Sequence, residues 1–287
     1  MNTITVNPVL ARELKERVRS WRAPTIVTLY LAIIGLALFF TYETARDSGA
    51  DSAAIVGRKV FEWVIVLMLL LVLFLVPGLT AGAICGERER QTLVPLQVSM
   101  LRPHSILLGK VSSALAFVFL LLISTMPVLG MAYLLGGIRI SDVVAAMASI
   151  FVVAILVGLL CASMSSYFKR VQSATVASYG VVLFLLLGTA AGYLVIRDVL
   201  SDSGDAPIEL LYINPAVAVA DVVENPAYRS DGPLSDRIDG IDTRPSFGNT
   251  SRNQSLWSRS LVVSSTLIAI LTVLAVRRLR APNKSER

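Results

Sequence analysis

Six long apolar runs, separated by short polar stretches, set the pattern of this 287-residue chain; they cover approximately residues 25–42, 61–85, 107–135, 143–165, 174–196 and 261–276. Roughly 20 mostly apolar residues carry a helix across about 30 Å of hydrocarbon at 1.5 Å per residue. Long runs of Leu, Val and Ala predict helices, because the strands of a membrane barrel show weaker alternating segments of about ten residues. The expected fold is therefore all-α, a single polytopic membrane domain over residues 1–287 with six transmembrane helices.

Ahead of the first run, Asn7-Pro8 offers a capping side chain and a proline pre-set for a first helical turn. Leu10, Leu14, Val18 and Trp21 then fall on one stripe, while Arg12, Glu13, Lys15, Glu16, Arg17, Arg19 and Arg22 take the other faces. This predicts an amphipathic helix lying in the membrane interface, basic side to the headgroups, and able to touch a cytosolic partner. Residues 1–23 are too long and too mixed in charge for a cleaved signal.

The polar stretches predict the connections. Residues 43–59 read as a short outer loop, and Glu62, beside Trp63, as an interfacial carboxylate reaching water. Pro77, Gly78, Gly82 and Gly86 put bare backbone on one face where the second run ends, which permits close helix approach. That approach serves either a gate or dimer contact or packing within the chain. Pro127 predicts a bend in the third span, Gly136-Gly137 the outer turn after it, and Lys110 a side chain that snorkels to the interface. Residues 167–172 make a minimal inner turn, and Gly188 and Gly192 repeat the small-residue spacing. Residues 197–257 form an outer-face segment with ten acids against five arginines; within it, residues 208–223 read as an outer-face or re-entrant helix pair capping the spans.

Composition agrees with a membrane protein: 55% of residues are hydrophobic and 16% charged, against about 25% charged in soluble domains. The net charge of +6 is not a nucleic-acid footprint. With both termini inside, segments 1–24, 86–110, 166–172 and 277–287 hold 16 Lys/Arg and 5 acids, and the remainder holds 10 and 15. Lys and Arg near span ends set orientation, so six spans with cytosolic termini are expected. Cys85 and Cys161, in or at the end of apolar runs, read as buried thiols.

The missing chemistry narrows the function. Charges are absent from the middles of the spans, where ion- and proton-coupled carriers place them, and no internal repeat marks an inverted-repeat transporter. Gly109-Lys110-Val111 lacks both the upstream glycine and the Ser/Thr of a phosphate-cradling loop, His104 has no companion ligands, and no GxSxG pattern occurs. Energy is expected from outside the chain, and no catalytic residue, metal site or cofactor site is assigned.

Between spans two and three lies PGLTAGAICGERERQTLVPLQVSMLRPHSILLGK, a polar island in which Glu87, Arg88, Glu89 and Arg90 alternate and Leu93, Leu96 and Met100 share an apolar face. With the opening NPVLARELKERVRS and the six-span plan, this stretch resembles the permease subunits of type-2 ATP-binding-cassette exporters. The resemblance is strongest over residues 7–136. It implies a homo- or heterodimer of permeases in membrane lipid, in a bacterial or archaeal plasma membrane, each docked on a separate ATPase that binds ATP and Mg. On that reading residues 87–101 are the coupling helix and residues 7–22 the interfacial helix beside it. A non-transporting scaffold or regulatory subunit of the same architecture is the alternative.

Overall fold

The computed structural model describes residues 21–47, 53–91 and 103–196, together with 214–217, 219, 262, 263, 266, 267, 270 and 273. Among the described residues all regular structure is helical. In chain order the elements are α1 (Arg22–Asp47), α2 (Ala53–Thr80), α3 (Cys85–Glu89), α4 (Pro103–Ser124), α5 (Met126–Leu135), α6 (Ile140–Ser165) and α7 (Val171–Leu183). A π-helical turn (Phe184–Gly188) and α8 (Thr189–Val195) complete the series. Among the described residues five spans are long and apolar enough to cross a membrane: Ala23–Thr44, Ala53–Glu89, Leu107–Leu135, Ile140–Ser165 and Val171–Tyr193. They match the first five apolar runs. Of the sixth, the described positions are helical, and Val262, Thr266, Ile270 and Val273 are exposed at spacings of four, four and three. The amphipathic segment with Arg12, Glu13, Leu14, Arg17 and Val18 lies outside the described residues, as do Leu93, Leu96 and Met100 and most of the segment 197–257.

The centre of the bundle is α2, which packs against α1, α4, α5, α6 and α7. Phe61, Ile65, Met68 and Val72 of α2 meet Leu121 and Leu122 of α4, Leu129 of α5 and Ile150 and Val157 of α6 in one apolar core. Over half of the most apolar stretch of α2 and of α6 is buried inside the protein, against about a ninth of that of α1. In lipid, burial of apolar surface gives no hydrophobic gain, so such contacts act through dispersion and close fit.

Helical geometry reaches further than the apolar runs. In place of an outer loop over residues 43–59, α1 continues to Asp47 and α2 begins at Ala53. The reason is that a helix satisfies its own backbone groups at the edge of the hydrocarbon, where open loop does not. Glu62 is accordingly not a carboxylate reaching water: it is 2% exposed, Arg58 is 4% exposed, and the Arg58 Nε–Glu62 Oε1 distance is 2.9 Å. One helical turn separates the two charges, so α2 carries both inward as a pair rather than either alone.

Local breaks follow proline and glycine. Pro127 sits at the second position of α5 and the third span is interrupted at Thr125, since proline fits the first turn of a helix but clashes with the carbonyl four residues back. The break is fastened to α1 by a 2.9 Å hydrogen bond between the Tyr30 and Thr125 hydroxyls. The turn into α6 uses Gly136 and Gly137 at φ 91° and 80°, a region that side chains disfavour. The start of α2 lies directly against this turn: a Cβ on Gly57 would fall 2.9 Å from the Ala132 carbonyl oxygen and closer still to that of Gly136.

Near the same end, the π-helical turn leaves the Leu186 carbonyl for Asn214, whose Nδ2 donates to it at 3.0 Å and to Thr189 Oγ1 at 2.8 Å. Asn214 is buried, Pro215 to Val217 are helical, and Val219 joins the core. The described positions of the segment 208–223 thus pack against the spans. Gly188 faces the ring of Phe184 within its own turn.

The contrast between two glycines tests the packing at the far end from α3. Gly57→Ala should destabilise the detergent-purified protein by about 1–3 kcal/mol, the range of an overpacked site. Gly35→Ala, with open space around it, should be neutral or stabilising by up to about 1 kcal/mol through helix propensity. Thermal unfolding of the two variants beside the wild type measures the difference.

Candidate functional site: the α3 junction

At the opposite end of the bundle the central helix α2 passes through Pro77 and ends at Thr80, and a four-residue turn leads into α3. The expected bare face of α2 is filled from within the chain. Tyr179 of α7 donates its hydroxyl to the Phe74 carbonyl at 2.9 Å, and the Tyr179 hydroxyl oxygen stands 3.1 Å from where a Cβ on Gly78 would lie. Val171, the first residue of α7, occupies the space next to Gly82 and Gly86, at 3.5 and 3.7 Å from their Cβ positions. Gly78, Gly82 and Gly86 thus lie against residues of α7 within the chain.

The α3 helix is only five residues long and has no capping side chain of its own, since its N-cap position is Ile84. Ser165, the last residue of α6, supplies the missing acceptor: its Oγ takes the amide hydrogens of Ile84 at 3.1 Å and Cys85 at 3.0 Å. All three residues are buried. In such surroundings two unmet amides would cost about 1–3 kcal/mol each.

The charged cluster that follows is tied down residue by residue. Glu87 Oε1 accepts from Lys110 Nζ of α4 at 2.8 Å, and the two side chains are 25% and 10% exposed. Arg88 donates through a guanidinium nitrogen to the Phe168 carbonyl in the α6–α7 turn at 3.1 Å. Glu89 Oε2 accepts the backbone N–H of Val171 at 3.2 Å. Because α7 starts after Arg170, which provides no side-chain cap, Glu89 acts as a cap supplied from another helix. Its negative charge also suits the positive end of the α7 dipole. Arg90 is exposed, and Gln91 closes the element at φ 59°.

Of the residues singled out from sequence for coupling, Glu87, Arg88 and Glu89 are thus bonded to α4, the α6–α7 turn and α7, while Arg90 is exposed at the end of α3. Sequence reading missed two participants. Lys110 reads as a snorkelling side chain but pairs with Glu87, and a signal for it exists: one lysine where the apolar sequence restarts, across a short polar island from two acids. Ser165 reads as the polar end of a span within Ser163 to Ser166, and nothing in one sequence distinguishes it from its neighbours.

Among the described residues, a helical bundle with several spans long and apolar enough to cross a membrane, and a charged junction at one end of its central span, defines a multi-pass membrane protein. The chain matches the ABC-2 family transporter protein model over residues 46–277. It belongs to that family and is an ABC transporter permease. No curated protein matches it.

The Ser165 cap is testable through its neighbour. Cys85 is buried and reduced, so a bulky maleimide should leave it unmodified in the folded wild type. Ser165→Ala should expose Cys85 to labelling and lower stability by about 2–6 kcal/mol, about 1–3 for each of the two amides. Mass spectrometry of the labelled protein, with Cys161 replaced by Ser, reads the result.

Proposed function

We propose that this permease exports its substrate and is driven by a separate ATP-binding-cassette ATPase that docks at the α3 end of the bundle. On this reading the α3 end is cytosolic, both termini lie inside, six spans cross a bacterial or archaeal plasma membrane, and the chain itself is not an enzyme. ATP and Mg are held by the partner, in keeping with the absence of a phosphate-cradling loop from the sequence. Two permease copies embedded in lipid form the transport route between them.

The observation that carries this reading is the fastening of α3. Residues 92–102 leave α3 and return into α4, and the base of that segment is bonded to α4, α6 and α7 through Glu87, Arg88, Glu89 and Ser165. A partner that pushes on this segment moves four spans rather than a loose loop. The excess of Lys and Arg in segments 1–24, 86–110, 166–172 and 277–287 supports placing this end in the cytosol. Leu93, Leu96 and Met100, at spacings of three and four, offer the apolar face that a groove on an ATPase would receive. Arg12, Glu13, Leu14, Arg17 and Val18 of the interfacial helix would lie alongside.

Two measurements test it. A single cysteine at Leu96 should react with an impermeant maleimide from the cytosolic face only; labelling from the outside would overturn the orientation and the docking together. Leu93→Asp with Leu96→Asp should reduce co-purification of the ATPase at least about tenfold, equivalent to about 1.4 kcal/mol, while membrane insertion is retained. Unchanged association would place the dock elsewhere.

A further inference from the structure

We propose that Glu87 and Lys110 form a clasp across the base of the 92–102 segment, and that Glu87, Arg88 and Glu89 are positioning residues rather than contacts to the ATPase. The functional consequence rests on the docking role proposed above; the clasp itself is a property of this chain alone.

The geometry gives each of the three charged groups an intramolecular partner. Glu87 meets Lys110 at 2.8 Å, Arg88 the Phe168 carbonyl at 3.1 Å, and Glu89 the Val171 amide at 3.2 Å. The first bond differs in kind from the others because its partners flank the polar segment, one just before it and one 23 positions later in α4. It directly joins the two chain positions that flank the segment, so displacement of the segment reaches α3 and α4 at one point. The pair is poorly exposed, with the lysine side chain only 10% accessible, so solvent and salt screen it less than a surface bridge. Glu89 and Arg88 add the start of α7 and the α6–α7 turn to the same body. Coupling of this kind requires a contiguous set of bonds whose loss changes transmission, and the clasp is the member that can be reversed in charge without altering the backbone.

This leads to a distinction from direct docking. If Glu87 touched the ATPase, reversing it to lysine would damage association whatever stood at 110. If it acts through Lys110, the reversed pair restores function.

The test uses the full-length chain in nanodiscs of phosphatidylethanolamine and phosphatidylglycerol, with Cys85 and Cys161 replaced by Ser and a nitroxide on Arg90→Cys, an exposed site at the end of α3. The wild-type pair should give an immobilised spectrum. Glu87→Gln and Lys110→Gln should each give a mobile one, and Glu87→Lys with Lys110→Glu should return it to the immobilised form. A spectrum indifferent to either single change, or not recovered by the reversed pair, overturns the clasp.

In the complex with its ATPase, Glu87→Gln should leave the amount of co-purified ATPase within about twofold while permease-dependent ATP turnover falls about tenfold, a loss of about 1.4 kcal/mol in coupling. The reversed pair should recover most of that turnover. Loss of association that the reversed pair fails to repair means that Glu87 contacts the ATPase, and rejects the positioning role. Should the wild-type chain bring down no ATPase at all, the docking reading fails, and the nitroxide spectra still decide the clasp.

Discussion

Backbone amides and carbonyls placed in apolar surroundings must find partners inside the chain, because neither lipid nor packed side chains will supply them. The helices satisfy most of this demand. What remains concentrates where helices end or break, and those places are where this bundle is held together. The π-helical turn releases a carbonyl that Asn214 takes, α3 begins on the hydroxyl of Ser165, and α7 begins on the carboxylate of Glu89. Each is a polar side chain reaching from one element to the frayed end of another.

The two ends of the bundle meet the demand in different ways. Near Gly136-Gly137 the solution is steric: backbone rests on backbone, and Gly57 provides the room. At the α3 end it is electrostatic, with a carboxylate–ammonium pair, a guanidinium on a carbonyl and a carboxylate on an amide. Close backbone packing gives a fixed geometry that tolerates no added atom. Charged hydrogen bonds hold a geometry through directed pairs between ionised and polar groups rather than through steric fit.

The buried pair Arg58–Glu62 belongs to neither category. It travels within one helix, in the half of α2 away from α3, and brings two neutralising charges into a core that is otherwise free of buried charge among the described residues. Its cost is limited because both charges move into the interior together, where each is the other's nearest partner.

The sequence by itself determined the class of fold and where the charged junction lies. Six apolar runs demand helices on grounds of backbone hydrogen bonding, and the alternation at Glu87 to Arg90 interrupts hydrocarbon too abruptly to be anything but a polar end. It also pointed to the break made by Pro127 and to the turn at Gly136-Gly137, since both are local effects of a single residue's backbone. Only the tertiary structure decided who partners whom: that Gly78, Gly82 and Gly86 face α7, that Lys110 reaches Glu87, that Ser165 caps α3, and that Glu62 is inside rather than in water. Those outcomes depend on the approach of segments some 80 to 105 residues apart in the case of Ser165 and Tyr179. Spacing along one helix fixes the face a residue occupies, but not which neighbour that face will meet.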